Sequence, residues 1–391
     1  MNAKPGMGTR MVLSLSWALA TARVLGADTE IVIEKPAGTM ATRVAISGFS
    51  GEVDEVLRFD LFVVGFTNVP SDQAQYVLSG SNNGSVTGLL TDRISKAVRL
   101  SKAYSAGSLR AQAHALADDV VLAVTGKKGV AQTKIAFKMQ TANGSEIYLA
   151  DYDGYNARQL TQDGLTCTPA WLPGHRVLYY TTYKKGLPDI HAYDLSSGAI
   201  RAVAAYSGLN TSPALSPDGS RLAMILSKAG SPDLYVAGAD GRNPRQLTRG
   251  KEDESSPCWC PDGRTLCYVS REGGRPVLYL ISAEGGAPRR LRTSGLNATE
   301  PDWSPDGRWV AFTTQRGGAS FEICVVPAAG GSAESIAPGE NPSWAPNSRT
   351  LIFSRRAKNG RRVLSLLDVP TKQNKDVSQL SGSCSEPSWA K

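Results

Sequence analysis

Six prolines recur along the last two thirds of this chain, Pro169, Pro213, Pro257, Pro301, Pro342 and Pro387, separated by 44, 44, 44, 41 and 45 residues. A period of roughly 40 to 50 residues that carries several short apolar runs is the signature of a propeller blade. Each blade's four strands cannot bury both faces alone, so blades stack on one another around a central channel. Every proline follows a polar residue and precedes an apolar strand end, marked by Trp171, Trp259, Trp303, Trp344 and Trp389, with Leu215 standing in once. Tryptophan is large enough to fill the space between blades, and that core role outweighs ligand stacking.

Residues 210–248 show the unit. Ala214-Leu215 reads as a first strand and Ser216-Pro217-Asp218-Gly219 as a hairpin turn. In such a turn Pro presets φ, Asp accepts hydrogen bonds from the following amides and Gly tolerates positive φ. Residues 222–225, 233–236 and 245–248 follow as the second, third and outer strands. The turn recurs as Cys260-Pro261-Asp262-Gly263 and Ser304-Pro305-Asp306-Gly307, and degrades to Leu172-Pro173-Gly174 and Ala345-Pro346-Asn347-Ser348. The last unit holds only a first strand, around Pro387, whereas residues 134–137, 146–149 and 158–161 read as three strands lacking a first. Pairing the two sets closes the ring, leaves no open sheet edge and makes the count six. The spacing predicts an all-β six-bladed propeller over residues 131–391, closed by the C-terminal strand.

Upstream, residues 28–130 read as a small α/β domain. Arg43-Val44-Ala45-Ile46 and Ala74-Gln75-Tyr76-Val77-Leu78 look like strands, and residues 108–121 repeat apolar positions at helical spacing. Residues 1–27 have the layout of a secretory signal peptide: a basic stretch to Arg10, an apolar run over 11–22, and small Gly26 and Ala27 at the cleavage point. That run is too short to span a bilayer. The expectation is therefore an exported, soluble protein with no direct membrane insertion.

The formal charge is +8. Removing Lys4, Arg10 and Arg23 with the leader leaves 40 basic against 35 acidic residues, or +5. Without clusters of Lys and Arg interleaved with aromatics, no nucleic-acid partner is expected. The six cysteines are irregularly spaced, and only His114, His175 and His191 could join them, which argues against a zinc site. If Asp262-Gly263 form a two-residue turn, Cys258 falls opposite Cys267. A cross-strand bridge is open there, and two buried thiols are the simpler expectation.

No catalytic motif survives inspection. The sequence has no G-x-S-x-G elbow. Asp151-x-Asp153-Gly154 lacks the terminal Glu of a calcium loop, since position 162 is Gln162. The histidines offer no base paired with a nucleophile. No catalytic residue, metal or cofactor is expected. In a propeller the residues just before each innermost strand converge on the channel mouth, and here these are Thr168, Ser212, Ser256, Glu300, Asn341 and Glu386. They are polar and differ from blade to blade, which suits an asymmetric protein contact; capping the strand starts is the competing role.

The run Asp151-Tyr152-Asp153-Gly154-Tyr155-Asn156 resembles the opening blade of the TolB family, the periplasmic propellers of the Tol-Pal cell-envelope system. Residues 227–231 before Asp233-Leu234-Tyr235-Val236, and Gly273-Gly274-Arg275-Pro276 before Gly285-Gly286-Ala287-Pro288, are similar to that family's third and fourth propeller segments. The resemblance covers residues 134–391 and implies a periplasmic protein-binding propeller that helps maintain outer-membrane integrity, with links to cell division and protein import. It implies that the channel mouth, with Leu209, Asn210, Thr211 and Ser255 beside it, binds Pal, the peptidoglycan-associated lipoprotein. It further implies that the mature N-terminus, Asp28, Thr29, Glu30, Ile31, Val32, Ile33, Glu34 and Lys35, engages a TolA-like inner-membrane protein, and that the chain is a monomer outside the complex. An extended Ile31-Val32-Ile33 can add a strand to a partner's sheet edge; an ordinary first strand of the small domain accounts for it equally. The alternative function is a secreted carbohydrate-binding or glycan-processing propeller, in which Glu300 and Glu386 flank a sugar.

Overall fold

The structure is a computed structural model that describes residues 39–317 and 320–391. The proposed leader and the segment from Asp28 to Lys35 lie outside the described residues.

The described chain opens with β1 (Thr42–Ser47), α1 (Gly51–Phe62), β2 (Phe66–Asn68), β3 (Tyr76–Ser81), β4 (Val86–Asp92), β5 (Val98–Tyr104) and α2 (Leu109–Thr125). The strands form one sheet in the order β2-β1-β3-β4-β5, with β1 parallel to β2 and β3, and with β3, β4 and β5 antiparallel in series. Both helix ends of α2 are written in the sequence. Ser108 Oγ accepts the Ala111 N–H at 3.2 Å, and Gly126, at φ 69°, returns its N–H to the Leu122 carbonyl at 2.9 Å. In α1, Glu52 and Asp54 occupy the first turn, where the helix dipole favours negative charge.

Six four-stranded sheets follow, as the period predicts. Blade two holds Thr166–Trp171, Val177–Lys185, Leu187–Asp194 and Ile200–Ala204. Blade three holds Asn210–Leu215, Arg221–Leu226, Asp233–Gly238 and Arg245–Gln246. Blades four and five begin with Glu254–Trp259 and Thr299–Trp303, and blade six with Glu340–Trp344. Blade one takes its inner strand, Ser383–Trp389, from the far end of the chain, paired antiparallel to Lys134–Thr141 with Trp389 opposite Ile135. The first strand of blade three, expected at Ala214-Leu215, proves longer and runs Asn210–Leu215. In every blade a register shift interrupts the pairing of the first and second strands. The bulge bends the strand, so only its second half shows the regular apolar pattern.

The tryptophans do join blades. Trp259 Nε1 donates to the Ala214 carbonyl of the preceding blade at 2.9 Å, and Trp171 Nε1 to the Ser388 carbonyl at 3.0 Å. Cys258 stands opposite Cys267, both buried and both free thiols.

The α/β layer rests on blades one and six. Leu57, Leu61, Leu116 and Val120 share one buried core with Ile135, Tyr152, Ile352, Leu366 and Trp389. The free edge of β2 is covered by Gln373, whose Nε2 donates to the Phe66 carbonyl at 2.9 Å. At the centre of this contact is the turn Asp151-Tyr152-Asp153-Gly154-Tyr155-Asn156. Gly154 has φ 86°, and a Cβ there would meet Val377 Cγ1 at 2.4 Å, so only glycine fits. The Tyr152 hydroxyl donates to the buried carboxylate of Asp60 in α1. His114 of α2 meets the same carboxylate through Nδ1 at 2.7 Å, and its Nε2 lies 3.6 Å from Asp153 Oδ2. Arg110 pairs with Asp153 and Glu52 and packs over the Tyr155 ring. A run of six residues that looks like an ordinary hairpin turn is thus the electrostatic seat of the α/β layer.

Burial opposes charge on His114, but the hydrogen bond and charge of Asp60, with the charge of Asp153, outweigh it and Arg110's opposition, and the imidazole pKa is held above its ordinary value. Burial also lifts the Asp60 carboxyl, against the hydrogen bonds from His114 and Tyr152. Both groups bind protons more tightly folded than unfolded; the His114 contribution is fully present below the unfolded His pKa of about 6.5 and is lost as pH rises through the folded value, whereas that of Asp60 belongs to the acid range, below the unfolded Asp pKa of about 3.9. His114→Gln should therefore be less stable than the parent near pH 6, with the gap closing as pH rises through the raised folded pKa of His114 in thermal denaturation. Parallel profiles for the two proteins would show that the imidazole does not carry the linkage.

Candidate functional site

The six residues singled out before the prolines do converge. Thr168, Ser212, Ser256, Glu300, Asn341 and Glu386, each with its following proline, line one cavity of about 170 Å³ at a mouth of the central channel. The same six prolines also line the wider space of about 700 Å³ on the other side, so they form the waist between the two ends. One correction concerns their place in the chain. They lie within the innermost strands and not ahead of them: Thr168 is the third residue of Thr166–Trp171 and Ser256 the third of Glu254–Trp259.

Their backbone is the unexpected feature. All six occupy the left-handed region, with φ of 49°, 55°, 49°, 54°, 58° and 50° in chain order. This conformation costs non-glycine residues roughly 1 to 2 kcal/mol each. Thr168 is β-branched as well, and left-handed β-branched residues are outliers. The strain sits at the bulge of every blade, where the following proline has no N–H to leave unpaired.

In three blades the left-handed residue's own N–H is accepted by a side chain of the preceding blade. Thr168 N donates to Glu386 Oε2 at 2.8 Å, and Ser212 N to Thr181 Oγ1 at 3.3 Å. Asn341 N donates to Glu300 Oε2 at 2.9 Å, while the Thr313 hydroxyl donates to that same carboxylate oxygen at 2.7 Å. Glu386 is further held by the ammonium of Lys138, and Asn341 Oδ1 accepts the Ser354 hydroxyl at 3.0 Å. Burial pushes the Glu300 pKa up against the Thr313 and Asn341 donors, and the charges of Glu340 and Glu386 add to the rise. Glu300, Glu386 and Asn341 therefore stitch blades together, and the Thr168 hydroxyl is shared with Thr181 at 2.7 Å. The side chains of Ser212 and Ser256 have no hydrogen-bond partner among the described residues and are half-buried.

The neighbouring residues divide. Asn210 is fully buried, and its amide donates to the carbonyls of Pro188, Tyr206 and Gly208, so its side chain is committed to the fold and unavailable to a partner. Leu209 packs half-buried on the core of blades three and four, while Thr211 shares its hydroxyl with Thr181 at 3.2 Å. Ser255 is half-buried opposite Val269. Sequence reasoning passed over Thr181, Thr313 and Lys138, which organise the throat. The signal available was a polar residue inside otherwise apolar second strands, as in Tyr180-Thr181-Thr182 and Phe312-Thr313-Thr314. It also passed over Glu254, beside Ser255, whose carboxyl burial pushes up to about 7 against the Ser270 hydrogen bond. Among the described residues no group of three His, Cys, Asp or Glu side chains could hold a metal, and no helix is long and apolar enough to cross a membrane.

The fold and this throat define a six-bladed propeller with an α/β layer at its side and an asymmetric polar mouth. The family model for the TolB beta propeller domain matches residues 121–391, and the chain belongs to that family. A Tol-Pal system protein TolB of Polaromonas sp. is 32% identical over 240 residues, covering 53% of this chain and 56% of its own length. The corresponding protein of Nitrosomonas europaea is 29% identical over 229 residues, 50% and 53% of the two lengths. The chain spans about half the length of the curated relatives it matches. The crystal structure of TolB from Acinetobacter baumannii has the same fold, with a TM-score of 0.80 over 90% of this chain and 97% of that one at 24% identity.

Relief of the bulge strain is measurable at Ser256. Glycine there removes roughly 1 to 2 kcal/mol of left-handed strain and adds back about 0.5 to 1 of unfolded-state entropy. Ser256→Gly should therefore match or slightly exceed the parent in chemical denaturation, and Ser256→Val should lose about 1 kcal/mol or more. Equal losses in both variants would contradict a strained throat.

Proposed function

We propose that this chain is a periplasmic, non-enzymatic binding component of a Tol-Pal-type envelope complex, whose throat face binds a Pal-like peptidoglycan-associated lipoprotein. The observation that carries this is the throat itself: six polar residues of four kinds, unevenly arranged and held by strained backbone around one small cavity. Strain of this kind persists where the surrounding structure over-determines it, and it concentrates at ligand contacts. An asymmetric rigid mouth suits one folded partner in one orientation. Ser212 and Ser256 supply the uncommitted hydroxyls, and Leu209, Thr211 and Ser255 border them. Residues 28–35 are assigned in this proposal to a TolA-like protein, by strand addition. The names of the TolB relatives support the same assignment, and the role is maintenance of outer-membrane integrity.

The glycan-processing alternative needs a pair of carboxyl groups free to act as acid and nucleophile or base. Glu386 is occupied by Lys138 and the Thr168 amide, and Glu300 by Thr313 and the Asn341 amide. Neither is free to exchange a proton with a sugar without unfastening two blades.

The test is capture of the soluble domain of the organism's peptidoglycan-associated lipoprotein by the full chain and by a Ser212→Arg, Ser256→Arg double variant. Bulky cations at the two uncommitted positions should weaken binding by about 100-fold, the effect of losing a central contact, with the thermal transition unchanged. Equal binding by both proteins would remove the throat from the interface, and binding by neither would remove the lipoprotein.

A further inference from the structure

The hairpins around the throat carry a charge pattern that the overall composition conceals. In every blade the turn from second to third strand lies on the throat side, because the first strand runs away from the throat and the second returns to it. Blade three shows this directly: Ser227 at the hairpin start exchanges hydrogen bonds with Leu209, just ahead of the inner strand. These tips hold exposed Lys185 in blade two, Lys228 in blade three, Arg271 and Arg275 in blade four, and Arg356 and Lys358 in blade six. None of the six has a carboxylate at ion-pair distance among the described residues. The acids on this face are largely taken by other cations, as in Lys184–Asp163, Arg316–Glu322, Arg355–Asp376 and Arg362–Glu340. Exposed Glu252 and Asp253 remain, and the sequence adds Glu272.

The cause is local turn chemistry. On the opposite face three of the first-to-second-strand turns carry a carboxylate: Asp218, Asp262 and Asp306 each accept a backbone N–H two residues on, at 3.1, 2.8 and 3.1 Å, while Asn347 does the same in blade six at 2.9 Å. Arginines there sit beside turn carboxylates, as Arg308 does beside Asp306 and Arg242 beside Asp240. The throat-side tips turn instead on glycine, with Gly186, Gly230, Gly274 and Gly360 at positive φ. No acid is needed at these turns, and the basic side chains lack ion-pair partners among the described residues, with Glu252 and Asp253 the exposed acids beside those of blade four.

We propose that this basic rim docks an acidic protein surface around the throat, steering the partner electrostatically before the throat is filled. This rests on the throat being the binding face. A folded protein fits better than a bilayer or a regular polyanion, because the throat behind the rim is a recess of about 170 Å³ whose polar lining, Thr168, Ser212, Ser256, Glu300, Asn341 and Glu386, is uneven around the ring, which a flat or repetitive surface does not match.

The experiment compares association kinetics of the full chain with Arg271→Glu, Arg275→Glu, Arg356→Glu as the rim variant, and with Arg242→Glu, Arg264→Glu, Arg308→Glu as a control of equal charge on the opposite face. The probes are the soluble lipoprotein domain, poly-L-glutamate and phosphatidylglycerol vesicles, each at low and high salt. The rim variant should associate with the first two probes about tenfold more slowly at low salt, the difference shrinking at high salt, while the control stays within about twofold of the parent. Equal rates for the rim and control variants, or binding of vesicles without poly-L-glutamate, would overturn the proposal. Rim-dependent poly-L-glutamate binding without lipoprotein binding would uphold the acidic-partner rim and defeat the lipoprotein assignment. Lipoprotein binding indifferent to the rim would do the reverse.

Discussion

The ladder between Ser383–Trp389 and Lys134–Thr141 is the one contact that turns five complete blades and three stray strands into a ring. It joins segments about 250 residues apart in sequence, so closing it carries a large loop-entropy cost that local contacts cannot repay until neighbouring blades are in place. Trp389 concentrates the return. Its side chain is fully buried, its Nε1 donates to Thr133 Oγ1 at 2.7 Å, and its backbone N–H donates to Ser343 Oγ of blade six at 3.1 Å. The same residue belongs to the core shared with the α/β layer. Ring closure and seating of that layer are therefore one event energetically.

Closure also sets what the throat can offer. A ring of blades needs lateral fastening at its narrowest radius, and the left-handed residues Thr168, Ser212 and Asn341 supply part of it by donating their amides to carboxylates and hydroxyls of the preceding blade. This explains why polar residues line the throat without forming a catalytic or metal centre: most of their hydrogen-bonding capacity is spent between blades. What remains is unequal around the ring, concentrated at Ser212 and Ser256 in blades three and four. The rim cations are likewise densest in blades four and six. The asymmetry that a single partner requires thus arises from which blades leave side chains uncommitted.

The propeller was legible because the blades repeat one local solution, a proline at the bulge of all six, a tryptophan in five and an Asp-Gly turn in three. The α/β layer was less so. Of its sheet, β2, β4 and β5 went unread: β2 has only three residues, and Leu89, Val98 and most of β5 are exposed and break the alternation that marks a half-buried strand. Helix α1 follows Ser50-Gly51 with no side-chain cap to announce it. At the throat, position was readable from the proline spacing, but backbone state was not. Thr, Ser, Ser, Glu, Asn and Glu share no chemistry that favours positive φ, and the conformation is imposed by the tertiary ladder. Asn210 was misjudged for a related reason: a polar side chain next to a mouth looks available until its three carbonyl partners are seen.

The central claim is that the far-end strand is an integral part of blade one and opens only with the whole ring. Native-state amide hydrogen exchange tests it most directly, following residues 135–139 and 384–389 together with the interior strands of blades three and four. The account predicts that both segments exchange only through the same global opening as those interior strands, with the same dependence on denaturant. Rapid exchange of residues 384–389 while the remaining blades stay protected would show a ring that stands without its closing strand, and would contradict it.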